Sequence, residues 1–223
     1  MATLPTDPSL PLQAGFVVIS FLLIASFAYV SRSKRAALVG AGWLTLTGIL
    51  AGSGALADFA SMPPRVVFLF APAGLAAIIL AFSRFGARFA ALPLSVLIGF
   101  QGFRIMVELL IHQAVREGIA PPQLTWGGWN YDIVLAISAI FLFPIAFRLP
   151  RWAILVWNTI GILFLGLIVG VAVLSMPTVF QKMTPDNTWV AFFPFVWLPS
   201  VIVISAVFGH LAIYRKLMQN DAR

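Results

Sequence analysis

Residues 152–175 run without a single acidic or basic side chain, and comparable apolar stretches recur along the whole chain. Only a helix or a closed barrel satisfies its own backbone in lipid, and a helix needs ~20 predominantly apolar residues to cross. By that measure, membrane-spanning helices are expected over about 14–31, 36–57, 66–83, 93–115, 131–148, 152–175 and 191–214. The expected fold class is therefore an all-α membrane protein, a bundle of about seven transmembrane helices. Residues 1–223 would form a single polytopic membrane domain. The fifth stretch is the shortest in effect, with Pro144 near its end. The leader MATLPTDPSLPLQAG has no Lys or Arg, whereas a cleavable signal peptide wants a basic start, so the first stretch is read as a retained span.

Charge supports this reading. Only 9% of the residues are charged and 61% are hydrophobic, whereas a soluble domain carries ~25% charge to clothe its surface. The net charge of +7 is scattered in twos and threes between apolar runs. That excludes nucleic acid as a partner, since a nucleic-acid face gathers its basic residues into a stripe. The chain has no cysteine, so disulfides and thiolate metal sites are excluded.

The connecting segments alternate in charge. Arg32, Lys34, Arg35, Arg84, Arg88, Arg148, Arg151, Arg215, Lys216 and Arg223 fall on one side. The other side has Arg65, Arg116 and Lys182, with the acids Asp7, Asp58, Glu117, Asp132 and Asp186. Lys and Arg accumulate on cytoplasmic loops, so the expected orientation is N-terminus out and C-terminus in. Gly48/Gly52 and Gly166/Gly170 have the four-residue spacing that suits close helix packing.

The fourth stretch, which contains QGFRIMVELLIH, departs from the apolar rule. Gln101, Arg104, Glu108 and His112 fall within roughly an 80° arc of one helix. Arg104 lies roughly 16 Å into the membrane, near the midplane, where an unpaired charge costs ~2.5–3.5 kcal/mol. Arg104 and Glu108 are one turn apart and can pair directly. A stripe of this kind faces the interior of a bundle. Asn158 lies at the depth of Gln101 on the sixth stretch. Thr45, Thr47, Pro199 and Ser200 are further polar or helix-disturbing positions near the midplane. Two readings stay open: a polar pocket that binds a substrate, ion or proton, or an ion pair that only sets helix register.

The segment REGIAPPQLTWGGWNYD, residues 116–132, follows this helix. Pro121 and Pro122 stop the helix, and Gly127 and Gly128 permit a tight turn. Trp126, Trp129 and Tyr131 suit a membrane–water boundary, and Asn130 or Asp132 could cap the next helix. Thr125, Trp126, Trp129, Asn130 and Asp132 form either an anchored interfacial turn or a lid over the polar face, with His112 beneath it.

Gln101, Phe103, Arg104, Val107, Glu108 and Leu109, followed by Pro121, Thr125, Gly128, Asn130 and Asp132, resemble a group of uncharacterised bacterial integral membrane proteins. The resemblance covers the fourth and fifth stretches. It implies a bacterial cytoplasmic (inner) membrane location and brings no activity with it. Trp126 and Gly127 stand where that pattern has an aromatic residue and then an acid.

Several classes are excluded. Lys34, Lys182 and Lys216 lie outside the apolar stretches, so no lysine is available for a retinal Schiff base. His112 and His210 are expected roughly 20–30 Å apart along the membrane normal, too far to share a zinc ion or a haem. No G-x-S-x-G, P-loop or G-x-G-x-x-G is present. No metal or cofactor is expected. The leading expectation is transport or binding of a small molecule or lipid at a pocket of Gln101, Arg104, Glu108, His112 and Asn158. In that reading Arg104 meets an anionic group. The second is a structural or accessory subunit, with its protein partner or a homo-oligomeric interface inside the bilayer. The third is an intramembrane enzyme using Glu108 and His112 as acid and base.

Overall fold

The computed structural model describes residues 3–219. Arg223, counted above among the basic residues of one side, lies outside them. The described chain is helical, with no strand among the described residues. The helices are α1 (Leu10–Ser31), α2 (Lys34–Gly52), α3 (Val67–Phe82), α4 (Arg84–Ala90), α5 (Leu94–Phe100), α6 (Arg104–Arg116), α7 (Asp132–Leu142), α8 (Arg151–Leu174) and α9 (Val203–Gln219). A 3-10 turn, Gln101–Phe103, joins α5 to α6 into one rod.

Five helical rods are long and apolar enough to cross a bilayer, or six if the bent α3–α4 pair counts as one span. That pair bends by 68° at Ser83, whose hydroxyl caps α4 by accepting from the Phe85 amide at 3.0 Å. The sequence left 84–90 as a loop. The expected span 131–148 is an 11-residue α-helix continued by the 3-10 segment Phe143–Arg148, because Pro144 interrupts the helical hydrogen-bond ladder. The expected span 191–214 begins late. Proline at 194 and 199 delays helix until Leu198–Ile202, a π-helical turn that leads into α9.

The outer surface is apolar: Val39, Phe141 and Leu163 are among the large hydrophobic side chains left exposed. Water would make such a surface costly, and lipid removes that cost. Inside, two apolar cores are stacked. One gathers Leu12, Phe16, Val107, Ile111, Trp189, Phe195 and Ile202, with the Phe16 ring edge-on to Trp189 and Phe195. The other gathers Phe89, Leu97, Ile98, Phe208 and Ile213. Along α6 and α9 the polar residues are interleaved with these cores, Glu108 between Val107 and Ile111 of the first and His210 between Phe208 and Ala212 of the second.

The π-helical turn is held from α2. The Trp43 indole donates to the Ser200 carbonyl at 3.1 Å, and Trp197 donates to the Leu44 carbonyl and the Thr47 hydroxyl at 3.2 and 3.1 Å. A backbone carbonyl freed by an irregular helix needs such a partner in lipid. Ser200 and Thr47 therefore act in helix packing, and Thr45 is exposed.

The expected glycine spacings do not mark close packing in this chain. A Cβ placed on Gly52, Gly166 or Gly170 would meet nothing within 4 Å, and Gly48 makes only ordinary contact. The close approaches lie elsewhere. A Cβ at Gly99 or Gly102 would lie 2.6 Å from the Phe143 side chain or 2.4 Å from that of Ile140. These two glycines let the α5–α6 rod lie tightly against α7.

At the end of the bundle where α1 begins, Glu117 clasps the start of α1. Its carboxylate accepts from the Ser9 amide at 2.9 Å, the Ser9 hydroxyl at 2.6 Å and Gln113 Nε2 at 2.7 Å. A carboxylate at a helix N-terminus is also favoured by the helix dipole. Burial alone would raise the Glu117 carboxyl, but the hydrogen bonds from Ser9 and Gln113 outweigh it and hold the group below its ordinary value of 4.5. A group whose folded pKa is depressed contributes stability that is complete above the unfolded value and lost as pH falls through the folded one. The unfolding midpoint should therefore fall on acidification below about 4.5 by more in the wild type than in Glu117→Gln. Equal acid sensitivity of the two proteins would show that the clasp contributes nothing.

Candidate functional site

The 3-10 turn Gln101–Phe103 and α6 carry Gln101, Arg104 and Glu108 into a polar layer inside the bundle. All three are buried there, at 0%, 3% and 2% exposure. The layer is completed by residues from three other elements.

Arg104 is ion-paired with Asp132 at the start of α7. The direct Arg104–Glu108 pair expected from their spacing is thus replaced by a bridge between helices. The cause is the close approach of α6 and α7 at Gly102, which brings Asp132 within reach. Arg104 Nη1 also lies 3.2 Å from His210 Nε2. Guanidinium can only donate, so Nε2 is the acceptor and the imidazole carries its proton on Nδ1. That proton is donated to Asn158 Oδ1 at 2.8 Å, and Asn158 Nδ2 returns a bond to the His210 carbonyl at 3.1 Å. His210 is therefore a neutral acceptor for Arg104, oriented by Asn158.

Glu108 is held by the loop. Asn130 Nδ2 lies 2.8 Å from both carboxylate oxygens and 2.9 Å from the Leu124 carbonyl. Asn130 Oδ1 accepts from the Asp132 amide at 3.0 Å, but the N-cap position of α7 is Tyr131, with no side-chain cap, so neither Asn130 nor Asp132 is the expected cap. Gln101 donates to the Ala206 carbonyl at 3.2 Å. Two glycines make room for this layer. A Cβ on Gly161 would lie 2.4 Å from the His210 ring, and one on Gly209 would lie 2.5 Å from Gln101 Nε2.

A cavity of about 550 Å³ lies against this layer. Its polar wall is formed by Arg104, Glu108, Asn130 and Asp132. The remaining walls are mostly apolar, from α3, α8, the π-helical turn and the first half of α9, with Val67, Phe70, Leu165, Val169 and Ile202 as examples and Thr178 and Asn187 as the polar exceptions. α3 and α8 both contribute, and the cavity fills the space between them. Its far end reaches Pro63, Met176 and Phe180 in the connecting loops.

The residues expected at the site are therefore divided. Arg104 and Glu108 line the cavity. Gln101 and Asn158 are buried behind it and position their neighbours. His112 is turned to the loop, where its ring stacks on Trp126 with centroids 4.3 Å apart. It does not line the cavity with Glu108, because it stands about 6 Å further along the same face, level with the 116–132 loop. Of the residues grouped as a lid, Asn130 and Asp132 are inner members of the polar wall. Thr125 is buried in the turn, with its hydroxyl accepting from the Gly127 amide at 3.3 Å. Trp126 and Trp129 are exposed at 37% and 52%. His210 was expected near the inner face and instead stands at the level of Arg104. Its signal was an isolated Gly209-His210 pair on an otherwise apolar helix face, matched by a lone Asn158 and by Gly161. Among the described residues no group of three or more His, Cys, Asp or Glu side chains could hold a metal ion.

Comparison with protein-family models, with curated proteins and with solved structures gives no match.

Proposed function

We propose that this chain is a multi-pass membrane protein that binds, and by extension transports, an amphiphilic small molecule in the cavity beside Arg104 and Glu108. One observation carries the reading. A cavity of about 550 Å³ combines mostly apolar walls with one cluster of four buried polar side chains, Asn187 being a further buried polar residue of its lining. Ligand sites of ~300–1,000 Å³ have this character, mostly apolar with a few placed polar groups. Intramembrane ionisable groups also default to function, since their burial is costly. The reading takes seven crossings, counting the bent α3–α4 pair and α7 with its 3-10 extension as spans. It takes the N-terminus as outside and the C-terminus as inside a bacterial cytoplasmic membrane. The basic residues of that side support this: Arg215 donates to the Ala81 and Ser83 carbonyls, and Lys216 to the Ala90 carbonyl. Arg88 donates to the Ser31 carbonyl, which gathers the basic ends of α1, α3, α4 and α9.

A second reading has its own support. Arg104 is met by both Asp132 and His210, as a device for fixing the register of α6, α7 and α9 would require. The chain would then be a structural or accessory subunit.

Native mass spectrometry of the full chain released from mild detergent separates the two. Wild type should carry a defined small molecule or lipid. Ala172→Phe, which fills the cavity from its apolar side, should lose it while keeping the wild-type unfolding midpoint. Wild type without a bound molecule, or equal occupancy in the variant, would favour the register device.

A further inference from the structure

The two acids and one base of the polar wall are not balanced. Arg104 supplies one positive charge, and Asp132 and Glu108 supply one negative charge each when ionised. His210 adds none, because its Nε2 accepts from Arg104. The two terminal nitrogens of the guanidinium face Asp132 and His210, while Nε has no hydrogen-bond partner, so its charge is already met although one donor is not. Glu108 has a single side-chain donor, the Asn130 amide, shared between its two oxygens. A carboxylate has about four acceptor positions, so most of those on Glu108 are unfilled. At 2% exposure water does not fill them freely. A buried carboxylate without a counter-charge is expensive, and a cation that also donates hydrogen bonds removes most of that cost.

We propose, resting on the cavity being a ligand site, that its occupant is a single-chain amphiphile with a protonated amine head. The ammonium donates to Glu108, and the hydrocarbon tail lies along the apolar walls between α3 and α8. An ammonium suits the position because it brings three donors and a full charge on a compact group. Phe70 and Phe103 also line the cavity, and an aromatic ring that turns its face to the head group attracts a cation and not an anion. An anionic head would find Arg104 already neutralised and Glu108 repelling it. This inverts the expectation drawn from the sequence, in which Arg104 received an anion.

The test uses three probes of one chain length, dodecylamine, dodecanol and dodecanoate, added to the full-length protein in a non-ionic detergent at neutral pH. Retention is read by native mass spectrometry. Wild type should hold the amine at least about tenfold more tightly than the carboxylate, a difference of ~1.4 kcal/mol. Glu108→Gln keeps an acceptor for Asn130 and should lose the preference for the amine while still holding the alcohol. Ala172→Phe should lose all three probes. Equal or tighter binding of dodecanoate by wild type would overturn the amine head and leave the cavity as a ligand site. An amine preference unchanged in Glu108→Gln would overturn the assignment to Glu108. Retention of none of the three by a folded wild type would overturn both the amine head and the binding function.

Discussion

Arg104→Met should lower the unfolding free energy by about 3–5 kcal/mol, the cost of removing one partner from a buried ion pair. The substitution leaves Asp132 and Glu108 facing each other across the polar wall with no side-chain cation between them. Arg104→Met combined with Asp132→Leu should recover most of that loss, because hydrophobic replacement of a whole buried pair is often close to neutral. Asp132→Asn alone should cost less than Arg104→Met, since Arg104 would still have Glu108 one helical turn away. Denaturant titration in mixed micelles measures all three. A double variant no more stable than Arg104→Met would show that Arg104 and Asp132 do not act as a unit.

The second large effect is expected at Gly128. A Cβ there would lie 2.6 Å from Gln123 Cα and 2.8 Å from the Pro122 carbonyl oxygen. Both are backbone atoms, so no side-chain rotation relieves the contact. Gly128→Ala should open the turn, break the Trp129 amide to Gln123 carbonyl bond of 3.1 Å and draw Asn130 off Glu108. Overpacking of this kind costs about 1–3 kcal/mol. Hydrogen exchange should quicken at Trp129 and Asn130. Gly127→Ala is the control, because its Cβ would meet only the Thr125 hydroxyl at an ordinary 3.6 Å. Similar destabilisation by both substitutions would place the effect in glycine flexibility and not in the close approach.

The polar layer was legible in part, for a physical reason. Arg104 and Glu108 are conspicuous because an apolar run tolerates charge only where the bundle offers partners. The partners were harder to assign. Asp132 and Asn130 sit at a helix start beside an aromatic loop, and polar residues there are equally at home in water. Their inward orientation depends on how closely α6 approaches α7, which Gly99 and Gly102 decide and which no linear pattern displays. His210 lies four residues before the end of the expected stretch 191–214, but α9 continues to Gln219, so it stands deeper in the helix than that stretch implies. Glycine spacing misled for a related reason. Gly166 and Gly170 have the expected interval on an open face, while Gly161 and Gly209 abut His210 and Gln101 without any such interval. Small residues state that close approach is allowed, not on which side it occurs.

Asn130 gives the loop and the charges a common fate. One amide group serves the Glu108 carboxylate, and the oxygen of the same side chain serves the amide of Asp132. A displacement of the loop would therefore take a donor from one acid and loosen the helix start that presents the other. The position of the loop and the electrostatic character of the polar wall therefore cannot be varied independently.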